Sequence, residues 1–150
     1  MYSVQVRKTE PLQVVSMAHK GPYQELGAVY AKFANWLQKH NVQTAGFFRE
    51  IGYDNPMTTP PEECRQEVCV PFAGALEGDK DVQVKQLPSA TIASVVHQGG
   101  LDFASLGPAY QTLMGWAAQE GKTTTYSIMT YYTQPSDRDK AEIEIALVLA

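Results

Sequence analysis

Long apolar runs are missing from this sequence. None approaches the roughly 20 residues that a helix needs to cross a bilayer, which excludes a membrane-spanning helix. Positive charge is scarce too: 12 Lys and Arg stand against 16 Asp and Glu, for a net charge of −4, and the basic residues form no run. Direct nucleic acid binding is therefore not expected, because nothing offers a broad grip on a phosphate backbone. Cysteine is limited to Cys64 and Cys69. Five residues apart on an expected strand, they point to opposite faces, so they neither bridge each other nor share a metal, and both read as structural. There is no nucleophile motif, no metal-ligand cluster and no Gly-rich phosphate loop, so neither metal nor cofactor is expected. The first residues alternate polar and apolar and lack the basic-then-apolar plan of a secretory signal, which makes the cytoplasm the expected location.

What is present is the composition of an ordinary globular chain, 44% hydrophobic and 19% charged, which leaves no disorder signature. At 150 residues it fits one compact domain or a tightly fused pair of halves.

Self-similarity is the most informative feature. Val4-Gln5-Val6-Arg7 returns as Val82-Gln83-Val84-Lys85, and His19-Lys20-Gly21 as His97-Gln98-Gly99, both at an offset of 78. Leu26-Gly27-Ala28-Val29-Tyr30 returns as Leu106-Gly107-Pro108-Ala109-Tyr110, and Trp36 as Trp116, at 80. Tyr53-Asp54-Asn55-Pro56 answers Tyr132-Thr133-Gln134-Pro135 at 79, and Glu67-Val68-Cys69-Val70 answers Glu144-Ile145-Ala146-Leu147 at 77. So small a drift, in constant order, marks two halves at about 1–74 and 80–150, joined by a linker from Gly74 to Asp79.

Each half predicts the same elements. Strands near Val4–Lys8 and Gln13–Ala18, and near Val82–Gln86 and Ala90–Val96, follow from alternation and β-branched residues. A helix is expected to begin near Pro22, a favoured first helical residue. It sets Leu26, Val29, Tyr30, Phe33, Trp36 and Leu37 on one face. Its counterpart carries Leu106, Tyr110, Leu113, Trp116 and Ala117, and tolerates Pro108 only if that residue sits in the first turn. Third strands (Gly46–Tyr53 and Thr125–Tyr132) lead through Pro-containing loops to fourth strands (Arg65–Phe72 and Glu142–Leu149). The expected fold is α+β: two tandem pseudo-symmetric βαββ-type units forming an antiparallel sheet with two helices on one side. A ligand cleft between equivalent halves is the expected site.

The last strand carries the most pointed chemistry. Ile143, Ile145, Leu147 and Leu149 line one face, and Glu142, Glu144, Ala146 and Val148 the other. Glu144 thus has small, apolar neighbours, and ionising it there costs free energy unless a cation joins it. A lipophilic cation would supply that counter-charge, and aromatic walls would add cation–π attraction. Glu67 holds the equivalent place in the first half. Both acids also fit a plainer reading as solvated edge-strand residues. Tyr126 and Phe47 are equivalent positions and candidate ligand contacts, as is Trp116. Helical spacing suits Trp116, Trp36, Tyr30 and Tyr110 to the core as well. Phe47 and Phe48 are adjacent, so one faces each side of the expected strand. His19 and His97, at strand ends, and His40, near a helix end, read as structural.

The segment Gly52-Tyr53-Asp54-Asn55-Pro56-Met57-Thr58-Thr59-Pro60-Pro61-Glu62-Glu63-Cys64-Arg65-Gln66-Glu67-Val68-Cys69-Val70-Pro71 resembles the Tyr-Asp-Asn-Pro…Thr-Pro…Glu…Arg-x-Asp-Val…Val-Pro signature of gyrase-inhibitor-like (GyrI-like) proteins. The stretch from Gly99 to Trp116 and the ending Glu142-Ile143-Glu144-Ile145-Ala146-Leu147-Val148 are similar to that family as well, with its central Glu falling on Glu144. The resemblance implies two fused βαββ-type modules and a buried glutamate, Glu144, that contacts small hydrophobic or cationic organic ligands. Glu67 departs from the family's usual Asp by one methylene. The two repeats use up the chain, which implies a stand-alone member without a DNA-reading module.

Three functions follow as expectations. The first is a small-molecule effector-binding protein with Glu144 as its central acid. The second, implied by the resemblance, is a hydrolase of reactive cyclopropane-type compounds, with Glu144 and Tyr126 or another tyrosine as the candidate pair. The third is a protein partner, either DNA gyrase, inhibited by direct contact, or a regulator encoded elsewhere.

Overall fold

The computed structural model describes residues 2–55, 58–135 and 139–150. Pro56 and Met57 of the long signature lie outside the described residues. Among those described, nine strands and two α-helices make the fold α+β, and no helix is long and apolar enough to cross a membrane. The chain divides into two compact units: Pro11–Pro88, and Met1–Glu10 together with Ser89–Ala150.

The Pro11–Pro88 unit contains β2 (Leu12–Lys20), α1 (Leu26–Lys39), β3 (Gln43–Thr44), β4 (Arg49–Gly52), β5 (Arg65–Ala73) and β6 (Val82–Leu87). The other unit contains β1 (Gln5–Lys8), β7 (Thr91–Gly99), α2 (Phe103–Gln119), β8 (Thr124–Tyr131) and β9 (Ala141–Leu149). In the first, β5 is flanked by β2 and β4, and β6 adds to β2, all antiparallel. In the second, β9 is flanked by β7 and β8, and β1 adds to β7, again antiparallel. The opening strand of each sequence half has therefore been exchanged. β1, from the first half, pairs with β7, while β6, from the second, pairs with β2.

Helix α1 buries the face that its sequence spacing marks. Leu26, Val29, Phe33, Trp36 and Leu37 pack with Val15, Val68, Val70, Phe72 and Val82. The linker is fastened to this helix, because the Trp36 indole N–H donates to Asp79 at 2.8 Å. Pro22 stands one step earlier than expected: it precedes a 3-10 turn at Tyr23–Glu25, and α1 begins only at Leu26. The repeated His-x-Gly motif marks the strand exits. Gly21 has φ +145°, and a Cβ there would lie 2.5 Å from Glu25 Oε1, so this position favours glycine.

Two expectations need correcting. The expected strand Gly46–Tyr53 is shortened to β4, Arg49–Gly52. Thr44 pairs with Phe72 and Arg49 with Cys69, so two extra residues bulge opposite Pro71, which has no N–H to give the ladder. Phe47 and Phe48 precede β4 rather than alternating within it. Phe48 turns into the core against Phe33 and Tyr30, and Phe47 is 48% exposed. The second correction concerns Pro108. Asp102 caps α2 through the Ser105 N–H at 2.7 Å, which makes Pro108 the sixth helical residue, beyond the first turn. The Ala104 carbonyl thereby loses its i+4 donor. Pro108→Ala is expected to restore that bond and stabilise the fold by about 1 kcal/mol, read as a higher urea midpoint at unchanged m.

Candidate functional site

Strand β9 alternates as its sequence implies. Ile143, Ile145 and Leu147 are buried on the side where α2 packs against β7 and β9. The helix-free side carries Glu144, Ala146 and Val148. There Ala146 and Val148 form a small apolar cluster with Ile92, onto which Ala90, Tyr126 and Ile128 pack. Glu144 sits at the edge of this cluster, 6% exposed, between Val96 on β7 and Thr130 on β8.

Its counter-charge is internal. Arg7 on β1 grips the carboxylate with both arms of its guanidinium, Nη1 to Oε2 at 2.5 Å and Nη2 to Oε1 at 2.8 Å. Ser94 adds a hydroxyl donor to Oε2 at 3.2 Å. The planar fork matches a carboxylate in a way an ammonium does not. Hydrogen bonding to Glu144 holds the Arg7 guanidinium above its ordinary range, against the opposing pull of desolvation. The sequence reading left Glu144 waiting for a cation, and that electrostatic picture is corrected here. Arg7 itself remains open to water, with 48% of its side chain exposed, and Val96 (51%) and Tyr132 (38%) stand exposed on the same side of the sheet. One step towards Ala141, a shallow hollow of about 370 Å3 is lined by Gln98, Gly99, Thr133, Lys140, Ala141 and Glu142.

The Pro11–Pro88 unit repeats this arrangement with its own residues. Glu67 on β5, 4% exposed, receives Lys85 Nζ on Oε2 and the Tyr53 hydroxyl on Oε1, each at 2.5 Å. The Ser16 hydroxyl also donates to it. Burial pushes the Glu67 carboxyl up, but the donors from Lys85, Tyr53 and Ser16 outweigh burial and hold it below its ordinary range. Glu144, Ser94, Arg7 and Tyr132 thus correspond to Glu67, Ser16, Lys85 and Tyr53. In both units the base comes from the exchanged strand.

Of the residues singled out in sequence, Glu144 and Tyr126 share one face of one unit. Tyr126 reaches it from beside a register irregularity in β8 between Thr124 and Ser127, and packs there together with Ile128, two residues on. Trp116 belongs to the same unit but lies half-buried on α2, on the other side of the sheet. Glu67 and Phe47 belong to the Pro11–Pro88 unit. Cys69 is fully buried beside them, its thiol pushed up to about 12 by burial, and Cys64 is buried at the foot of β5. His97 is buried between Tyr2 and the Gly100 carbonyl, a structural position like that of His19 against Glu25. Sequence reasoning missed Arg7, Ser94, Lys85 and Ser16. Their signal was present: each base closes one copy of the similar four-residue segment, Val4–Arg7 and Val82–Lys85, and the two serines recur at an offset of 78.

Residues 2–149 match the GyrI-like small molecule binding domain. The chain belongs to this family. Among solved structures, the EcmrR C-terminal domain is similar over 100% of this chain and 98% of its own, with a TM-score of 0.86 at 17% identity. SAV2435, bound to tetraphenylphosphonium, is similar over 99% and 94% of the two chains, with a TM-score of 0.64 at 10% identity. A hydrolase from Listeria innocua is similar over 98% and 91%, with a TM-score of 0.66 at 10% identity. At these identities the likeness is one of fold.

Proposed function

We propose that this GyrI-like domain is a receptor for lipophilic organic cations, held over the helix-free face of the β1–β7–β9–β8 sheet with Glu144 as the central acid. The observation that supports this reading most is the combination at Glu144: a carboxylate only 6% exposed, bordered by an apolar cluster and Tyr126, with exposed Val96 and Tyr132 on its own side of the sheet. An acid in such a setting attracts a cation more strongly than one in water, and the adjoining apolar and aromatic surface contributes dispersion and cation–π attraction. A similar fold holds tetraphenylphosphonium in SAV2435, which makes that cation a sensible first probe.

The test is calorimetric titration of tetraphenylphosphonium into the wild type and into Glu144→Gln. The amide keeps the shape and removes the charge. Binding to the wild type with at least a tenfold loss in the variant, about 1.4 kcal/mol, is the expected result. Equal affinity in both proteins would refute the role given to Glu144.

A further inference from the structure

Arg7 presents the cation reading with a physical problem. With the guanidinium seated on both oxygens of Glu144, the pair is net neutral, and a ligand cation placed beside it gains little Coulomb attraction. A cation with no N–H group also cannot stand in for the two hydrogen bonds while Arg7 stays. Ligand and guanidinium therefore contend for one carboxylate.

Arg7 is built so that it can yield. It lies on β1, a strand of only four residues, every one exposed, which pairs through β7. Nearly half of the side chain already meets water, so its charge is resolvated on leaving rather than stranded. Ser94 remains on Glu144 as a donor when the guanidinium departs. The Pro11–Pro88 unit offers an internal contrast. Glu67 divides its strong donors between separate side chains, Lys85 on Oε2 and Tyr53 on Oε1, so departure of its base leaves the donor on the other oxygen in place.

Resting on the receptor reading above, we propose that Arg7 is a tethered competitor: an internal cation that occupies the Glu144 site in the empty protein, that a lipophilic cation must displace, and that thereby sets the affinity and charge selectivity of the site. A binding-competent state that is only fractionally populated weakens the apparent affinity by that fraction. Removing the competitor therefore strengthens binding of cations and leaves neutral ligands of the same shape unaffected. Displacement also removes the side-chain anchor of β1, so occupancy is transmitted to the strand as loosening.

Tetraphenylphosphonium and its neutral isostere tetraphenylmethane, the latter at the limit of its solubility, are titrated against wild type, Arg7→Gln, Arg7→Lys and Glu144→Gln. Arg7→Gln is expected to bind the phosphonium at least tenfold more tightly than wild type, with Arg7→Lys in between and no gain for the neutral compound. Arg7→Lys keeps the charge and loses only the fork, so it preserves the test if Arg7→Gln does not fold. Hydrogen exchange gives a second readout: phosphonium binding to the wild type is expected to speed exchange of the β1 amides. If the phosphonium binds the wild type through Glu144 but Arg7→Gln and Arg7→Lys bind equally or more weakly, the competitor role is refuted and the receptor reading stands. If Glu144→Gln binds as well as wild type, the receptor reading falls, and this inference falls with it.

Discussion

Phe33→Ala is expected to lower the unfolding free energy by about 3–5 kcal/mol. Phe33 is fully buried at the centre of the α1 cluster, where Phe48 meets it edge-on with ring centroids 6.2 Å apart. Truncation removes the transfer free energy of the ring and leaves a cavity that close-packed neighbours on α1 and β5 fill only in part. A domain of ordinary stability holds about 5–15 kcal/mol, so this single change removes a large share of it. The natural control is Phe47→Ala, one residue from Phe48 but exposed, expected to change stability by no more than about 0.5 kcal/mol. Urea unfolding of both variants decides the matter. Similar midpoints would mean that the helix–sheet core described here does not carry the stability.

The second large effect belongs to Lys85. Lys85→Met keeps most of the aliphatic stem and removes the ammonium from a carboxylate that is 4% exposed. Breaking a buried pair from one side costs several kcal/mol. Lys85 keeps 32% of its side chain in water, so the expected loss is reduced to about 2 kcal/mol at pH 7. The pH dependence gives the sign. In the wild type the folded-state carboxyl of Glu67 lies below its ordinary range, so its contribution is fully present above the unfolded value, about 4.3, and is lost as pH falls through the folded value. Without Lys85, burial dominates, the folded-state carboxyl moves up, and protonation relieves the unpaired charge. The gap between wild type and Lys85→Met is therefore expected to be widest near neutrality and to close as the solution is acidified below about pH 4. Urea midpoints measured from pH 3 to 7 check this, and a gap independent of pH would show that the lost stability is packing rather than charge.

Much of this was legible in the sequence because the signals are local. Strand β9 and helix α1 follow from alternation and three- and four-residue spacing, and Glu144 stands out by the apolar company it keeps. The bulge before β4 was hidden because its cause, Pro71, lies on the neighbouring strand and acts through a missing ladder bond. The depth of Pro108 in α2 was not legible because the helix start is fixed by the Asp102 cap rather than by the proline. The exchange of β1 and β6 was illegible for a deeper reason. A short amphipathic strand has the same pattern whichever sheet receives it, so the similarity of Val4–Arg7 to Val82–Lys85 pointed to two like strands but not to which neighbour each would join. With that exchange went the counter-ions, and Glu144 read as unpaired because its partner lies 137 residues away.

The exchange also orders events during synthesis. The Pro11–Pro88 unit is one continuous segment, complete as soon as β6 has left the ribosome. β1 emerges before any of it, yet Gln5 pairs with Ser94, made 89 residues later. At ~5–20 residues per second, the wait is on the order of 5–20 s. Throughout that interval β1 is an unpaired strand on a nascent chain, and the adjacent charges of Arg7 and Lys8 are the kind that discourage premature edge pairing. Among the strands of this domain, β1 is made before the others yet is among the last to be paired, and the guanidinium that finally reaches Glu144 serves the chain as a solubilising charge before it becomes a counter-ion.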